Sequence, residues 1–118
     1  MIEQSLELNI IPGGVMPIIY VNQNDDSGAY ARFFFTLIYN GEVYAFDNSA
    51  TFKLRGTKPD KNTFEISLTK SGTTLKGRLY TTMDDVPGDV YCNIEMIDGS
   101  DRVGTQAFIM RVQKEAKE

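Results

Sequence analysis

The chain of 118 residues contains no histidine and no tryptophan, and Cys92 is its single cysteine. Without histidine, Ser-His-Asp and Cys-His catalysis and most zinc sites are excluded in one step. A single cysteine cannot form a disulfide within the chain, which favours folding in a reducing cytosol. We interpret Cys92 as a small buried hydrophobic residue.

Basic residues and long apolar runs are also scarce. Twelve Lys and Arg stand against sixteen Asp and Glu, for a net charge of −4. Long-range attraction to nucleic acid or to an anionic membrane is therefore not expected. The longest apolar run, within residues 30–40, is too short to span a bilayer, and the acidic start lacks the basic region of a signal peptide. The sequence predicts neither a nucleic-acid partner nor membrane insertion.

Alternation of apolar and polar residues with a period of two is what the sequence does contain. Residues 30–40, YARFFFTLIYN, include three consecutive phenylalanines, and such aromatic residues suit a largely buried strand. One apolar face is predicted at the alternate positions Ala31, Phe33, Phe35, Leu37 and Tyr39. Asn40-Gly41 then provides hairpin-turn chemistry. Pro17 cannot donate a ladder hydrogen bond, so its segment is predicted at a sheet edge or crossing between sheets. Further runs occupy residues 5–11, 15–21, 42–46, 50–56, 63–70, 73–80, 89–97 and 102–112.

This pattern predicts an all-β, antiparallel β-sandwich of seven to nine strands. One short helical turn is predicted near residues 82–86, begun by Thr82 and ended by Pro87-Gly88. The first strand is expected to end at residues 12–14, where a break in the strand pattern is predicted. Residues 1–112 are predicted to form a single domain. Residues 113–118 are predicted to be a polar tail or the start of a connection to a further region.

Two polar clusters come nearest to a chemical site. Asp84, Asp85 and Asp89 are carboxylates that suit acid–base work or cation binding, but the first two are adjacent and need not converge. The loop at residues 22–28, NQNDDSG, superficially matches a calcium loop, but its glycine falls one place late and its twelfth position is Phe33. We expect both clusters to be exposed turns.

Phosphate-binding and nucleophile-elbow spacings are absent from the sequence. We therefore predict no catalytic residue, no cofactor and no metal ligand, and expect that the protein is not an enzyme. An enzyme that relied on the Asp84, Asp85 and Asp89 group remains the least favoured alternative.

Apolar side chains on the faces opposite the inferred core are more informative. Scattered outward aromatic residues are ordinary on a sandwich, but gathered on one sheet they would form a contact patch for another protein. The candidate protein interface is Phe34, Ile38, Tyr44, Tyr80, Tyr91 and Ile109. An alternative is a carbohydrate-binding module, which the lack of tryptophan disfavours, with stacking rings supplied by Tyr20, Tyr44, Tyr80 and Tyr91.

One longer pattern of turns and core positions is more specific. A Gly-Thr-Lys-Pro-Asp turn at residues 56–60 precedes an aromatic strand with Phe64. A short turn with Met83 leads to a glycine-led strand at residues 88–95, and Gly104-Thr105 precedes a strand with Phe108. Over residues 29–112 this pattern resembles the N-terminal domain of phage baseplate upper proteins.

That resemblance implies an immunoglobulin-like sandwich in the baseplate or tail tip of a tailed phage or prophage. It implies an adapter: one surface docks on the tail hub, and the C-terminal continuation carries fibres or receptor-binding parts. It also implies a symmetric homo-oligomer, often a trimer, located in the virion after folding in the bacterial cytoplasm. Longer members continue into helices beyond the position of Glu118, so the resemblance supports docking more directly than fibre carrying.

Overall fold

A computed structural model describes residues 2–11 and 15–116. Within these residues the chain forms eleven strands and one short helix. The strands are β1 Gln4–Asn9, β2 Ile18–Asn22, β3 Phe33–Tyr39, β4 Glu42–Val43, β5 Thr51–Thr57, β6 Thr63–Ser67, β7 Thr69–Ser71, β8 Thr74–Gly77, β9 Gly88–Asp98, β10 Asp101–Gly104 and β11 Phe108–Gln113. The helix, α1, is Thr81–Asp84. No helix of the described residues is long and apolar enough to cross a bilayer.

The strands form two sheets that pack as a sandwich, which confirms the predicted fold class. The five-stranded sheet has the order β1-β3-β8-β7, with β4 also beside β3. The six-stranded sheet has the order β2-β11-β9-β5-β6, with β10 also beside β9. The placement of β2 at a sheet edge agrees with the prediction from Pro17. Residues 12–14, where a break was predicted, lie outside the described residues.

Two strand pairs depart from the antiparallel arrangement that we predicted. β1 runs parallel to β3, and β2 runs parallel to β11, so both sheets are mixed. Alternation along one strand predicts which face is buried, but it carries no information about the direction of the neighbouring strand.

The strand count exceeds the predicted seven to nine because two predicted runs each divide. The run at 63–70 divides at buried Leu68, where the chain passes from the six-stranded to the five-stranded sheet. The run at 102–112 divides at residues 105–107. There Thr105 bonds to Ile94 of β9 through its main chain on one side and its side chain on the other. Its N–H donates to the Ile94 carbonyl (2.9 Å), and its Oγ1 accepts from the Ile94 N–H (3.1 Å).

The core lies between the inner faces of the two sheets. Phe33, Phe35 and Leu37 of β3 are buried as predicted, and the Phe35 ring lies 5.6 Å from the Phe108 ring of the opposite sheet. Tyr39, predicted on the same apolar face, is exposed instead because it follows the core region at the end of β3. Cys92 is buried as predicted, and burial raises the pKa of its thiol to about 12.

Gln106 joins the edges of the two sheets on one side of the sandwich. Its Oε1 accepts from the Asn9 N–H (2.8 Å), and its own N–H donates to the Asn9 carbonyl (2.8 Å). Its Nε2 donates to the Val15 carbonyl (3.3 Å). Farther along this seam, Gln4 Nε2 donates to the Tyr20 carbonyl (2.9 Å). These two amides therefore connect β1 with β2 and the residues before it, and they pair main-chain groups that edge strands otherwise leave free.

The single helical turn lies about two residues earlier than the predicted turn capped by Thr82, and it ends at Asp84. Tyr80, rather than Thr82, precedes it: the Met83 N–H donates to the Tyr80 carbonyl (3.0 Å), and the Met83 sulfur accepts from the Tyr80 N–H (3.4 Å). Met83 and Asp84 both point inward and are fully buried. The burial of these two side chains was not predicted, because one turn of helix is too short to show a hydrophobic period.

Candidate interface and acidic corner

Two of the six predicted interface residues meet on the outer face of the six-stranded sheet. Tyr91 of β9 lies directly opposite Ile109 of β11, and Ile109 lies opposite Ile18 of β2. We call these three residues the apolar row. Ile18 is 40% and Tyr91 56% exposed. Exposed Tyr20 lies on the same face, two residues along β2 from Ile18.

The charged neighbours of the apolar row are paired with each other. On one side Arg111 makes a bidentate ion pair with Asp89: its Nε donates to Oδ1 (2.8 Å) and its Nη2 donates to Oδ2 (3.1 Å). This hydrogen bonding lowers the pKa of Asp89 and raises that of Arg111. On the other side Arg55 contacts Glu95 (3.0 Å) and Asn93 (3.2 Å). The row therefore lies in electrically balanced surroundings, which suit an uncharged partner surface.

The other four predicted residues lie elsewhere. Phe34 and Ile38 are half-buried on the outer face of the five-stranded sheet. Tyr44 and Tyr80 are partly buried against the core, and the Arg78 guanidinium lies 4.3 Å from the centre of the Tyr80 ring. The six residues are thus not gathered on one sheet.

Ile18 was not among the residues singled out from the sequence. The signal was present, because residues 15–21 carry apolar residues on both faces and their proline predicts an edge strand. A strand with two apolar faces, only one of which can face the core, exposes the other.

A shallow groove of about 620 Å³ lies beside Tyr91 across strands β9, β5 and β6. Arg55, Asn93 and Glu65 line it. Arg55 is held by Glu95 and Asn93, and Glu65 forms an ion pair with Lys53 (2.9 Å). The charged side chains of the groove are therefore each paired with another side chain of the same protein.

Asp84 contradicts the prediction of an exposed turn. Its side chain is fully buried, and neither carboxylate oxygen has a hydrogen-bond partner among the described residues. Burial, and then the negative charge of Asp25, raise the pKa of Asp84 to about 7; Asp85 and Asp26 add smaller increases. A buried unpaired carboxylate is strongly disfavoured, so the group takes up a proton at a far higher pH than an exposed one. Asp25, Asp26, Asp84 and Asp85 together form what we call the acidic corner.

The other three carboxylates of the acidic corner have cationic partners. Asp25 lies 3.9 Å from Arg32, Asp26 lies 3.6 Å from Arg78, and Asp85 lies 2.9 Å from Lys58. Across residues 2–11 and 15–116, no three acidic or cysteine side chains are placed to hold a metal ion.

Asp89 was grouped with Asp84 and Asp85 in the sequence, but it lies apart from them, on the outer sheet face with Arg111.

The loop at residues 22–28 is more than an exposed turn. Ser27 is buried; its N–H donates to the Leu79 carbonyl (3.1 Å), and its Oγ accepts from the Leu79 N–H (3.0 Å). The Asn24 N–H donates to the main-chain carbonyl of Asp84 (3.1 Å), and Gln23 Nε2 donates to that of Asp85 (3.1 Å). The loop is therefore fixed to α1 and to the residues before it.

Comparison with known proteins gives a likeness of fold. No protein-family model matches the chain, and no curated protein matches it. Among solved structures, the chain is similar to the N-terminal domain of phage TP901-1 ORF48, with a TM-score of 0.67 and 13% sequence identity. The match covers 94% of this chain and 100% of that one. The resemblance seen in the sequence is thus confirmed at the level of the fold, which this chain shares with the N-terminal domain of a phage protein.

Proposed function

We propose that the protein is a structural component of a tailed-phage or prophage virion, and that it acts as an adapter in the baseplate or tail tip. The likeness of fold to the phage ORF48 domain, over nearly the whole chain, supports this proposal. The sequence pattern over residues 29–112 points to the same class of protein. Fold alone does not determine function, and an adapter must present a surface that binds its partner.

The apolar row of Ile18, Ile109 and Tyr91 is the docking surface that we propose, and it is the observation that carries the adapter function. Exposed aromatic and aliphatic side chains at the centre of a neutral surface are typical anchors of protein interfaces. Because the flanking charges are already paired, the partner is another tail protein that presents an uncharged apolar surface.

The finer features of this proposal follow the family resemblance. The adapter joins receptor-binding or fibre parts to the tail, in a homo-oligomer for which the resemblance implies that a trimer is one form. It resides in the virion after folding in the bacterial cytoplasm. We propose a non-enzymatic role that needs no cofactor, as the sequence leads us to expect.

A pull-down with matched variants tests the docking surface. The tagged chain is incubated with a lysate of cells that produce its virion, and the proteins that co-purify are identified. Ile18→Ser/Tyr91→Ser removes two members of the apolar row. Phe34→Ser/Ile38→Ser removes two apolar side chains from the outer face of the other sheet and is the matched control. Circular dichroism verifies that both variants remain folded.

Stoichiometric recovery of tail proteins by the original chain and by the control, but not by Ile18→Ser/Tyr91→Ser, is the expected result. Equal recovery by all three proteins would rule out the apolar row as the docking surface. Absence of every tail protein from a virion-producing lysate would contradict the adapter function itself.

A carbohydrate-binding module that contacts the host surface is the second candidate function. The exposed ring of Tyr91 beside the polar groove favours it, because sugars stack on aromatic rings and hydrogen-bond to polar side chains. It predicts that wall polysaccharide, rather than tail protein, is recovered. Glycan-array binding that Tyr91→Ala abolishes would support this candidate over the adapter.

A further inference from the structure

The buried carboxyl of Asp84 lies where three parts of the chain are tied together. These parts are the 22–28 loop, the single turn of α1 and the segment that follows β11. The loop contacts α1 through the two bonds that Asn24 and Gln23 donate to the main-chain carbonyls of Asp84 and Asp85. Both bonds use main-chain oxygens, so they do not themselves require a charge on the Asp84 side chain.

The same two loop residues hold the last residue of β11 and the segment that follows it. Gln23 Oε1 accepts from the Glu115 N–H (3.1 Å), and the Gln23 N–H donates to the Gln113 carbonyl (2.8 Å). Asn24 Nδ2 donates to Glu115 Oε2 (3.2 Å). Gln23 and Asn24 thus contact α1 on one side and residues 113–115 on the other. A movement of the loop that breaks one set of contacts also disturbs the other.

The carboxylates of the acidic corner differ in whether they have a cationic partner. The three other carboxylates each have one cationic partner, whereas Asp84 has none among the described residues. A negative charge on Asp84 would therefore be added inside the protein, close to three carboxylates and with no cationic partner among the described residues. The charged groups around the corner are Asp25 and Asp26 of the loop, Asp85 after α1, Arg32, Lys58, Arg78 and Glu115.

We propose that Asp84 makes this junction a proton-operated clamp, which holds residues 113–115 against the loop while the carboxyl is protonated and releases them when it ionises. Ionisation draws water toward the buried oxygens and repels Asp25 and Asp26, so the loop moves away from α1. The contacts of Gln23 and Asn24 with the segment after β11 are then lost. The sign follows from a carboxyl whose pKa is raised in the folded state: the closed clamp is stable in mild acid and weakens as the pH rises through neutrality.

Hydrogen exchange of the full chain, followed by NMR, tests the clamp. The reporters are the amides of Asn24 and Glu115, and the Leu68 amide, which donates to the Phe52 carbonyl in the sheets, is the internal reference. After correction for intrinsic exchange, protection of the two reporters is expected to fall about tenfold between pH 6 and pH 8.5, since the loss is up to about tenfold for each pH unit below the pKa of the buried carboxyl and is complete above it. The Leu68 amide exchanges with unfolding of the whole domain, so it is expected to stay more strongly protected than both reporters at every pH.

Two variants make the test specific. Asp84→Asn keeps the main-chain bonds but cannot ionise, so the reporters are expected to stay protected at pH 8.5. Asp89→Asn removes an exposed carboxylate paired with Arg111 and is expected to behave like the original chain. Loss of protection in Asp84→Asn equal to that of the original chain would overturn the proposal.

A direct titration of the original chain tests the clamp even if a variant fails to fold. The carboxyl ¹³C shift of Asp84 in the original chain is expected to titrate near neutral pH, together with the amide shifts of Asn24 and Glu115. A midpoint below pH 5, or a carboxyl transition that those amides do not follow, would overturn the clamp. Restored protection at pH 8.5 on addition of calcium would make the corner a cation site and would equally overturn it.

Discussion

Replacement of Asp84 by asparagine is expected to make the stability of the whole domain less dependent on pH. The pKa of Asp84 is raised from 3.8 to about 7 in the folded protein. Between those values the folded state holds a proton that the unfolded state has released, so the free energy of unfolding falls as the pH rises. Above the folded pKa the loss is complete.

The size of the expected loss of stability is set by the difference between the pKa values of Asp84 in the folded and unfolded states. At about 1.4 kcal/mol for each pH unit, ionisation of a fully buried Asp84 costs up to about 4 kcal/mol of unfolding free energy by pH 8. Opening of the 22–28 loop to water relieves part of that cost, so about 4 kcal/mol is the upper value. Small domains have total stabilities of about 5–15 kcal/mol, so even half of this change is readily measured.

Urea denaturation at several pH values between 4 and 8 measures the effect, with circular dichroism as the probe because the chain has no tryptophan. At pH 4 the asparagine variant and the original chain should have similar stability, because both then bury an uncharged polar group. At pH 8 the variant should be the more stable. A variant that loses stability with pH as steeply as the original chain, or that is the less stable at pH 8, would refute the reasoning.

Three further predictions concern the core and the seam. Gln106→Leu leaves the Asn9 N–H without its side-chain acceptor and should cost about 1–3 kcal/mol in urea denaturation, whereas an unchanged midpoint would show that the seam contributes nothing. Gly56→Ala places a methyl group 2.4 Å from the Phe64 ring and should cost about 1–3 kcal/mol, of which Phe64→Leu in the same chain should restore part. The Cys92 thiol, buried and with its pKa raised to about 12, should react with a thiol reagent only in denaturant, and rapid reaction of the folded chain would contradict its burial.

The inner faces of the strands were predicted well because burial of alternate residues is a local property. Phe52 and Leu54 of β5, and Ile94 of β9, are buried as alternation requires. The hairpin turn was also local: Asn40 and Gly41 have φ of 54° and 79°, the conformation that an Asn-Gly hairpin turn adopts.

What the sequence did not predict depends on contacts between distant segments. The parallel pairing of β1 with β3 and of β2 with β11 is set by the passage of the chain between sheets, which leaves no mark on alternation. The burial of Asp84 depends on how one helical turn packs against a loop some sixty residues away, as the Gln23 bond to the Asp85 carbonyl shows. The apolar row needed the register of three strands before its members could be placed side by side.

The parallel pairing of β2 with β11 has a consequence for how the chain folds during synthesis. Ile18 pairs with Ile109, so the edge of the six-stranded sheet joins the first fifth of the chain to its last tenth. On the ribosome β1 can find β3 early, but β2 has no partner until residues 108–113 have emerged. The closing step is therefore long-range and is expected to be slow. Until then the apolar residues of β2 stay exposed to the solvent and to neighbouring chains. The domain is therefore expected to be most prone to aggregate while many copies are being synthesised together.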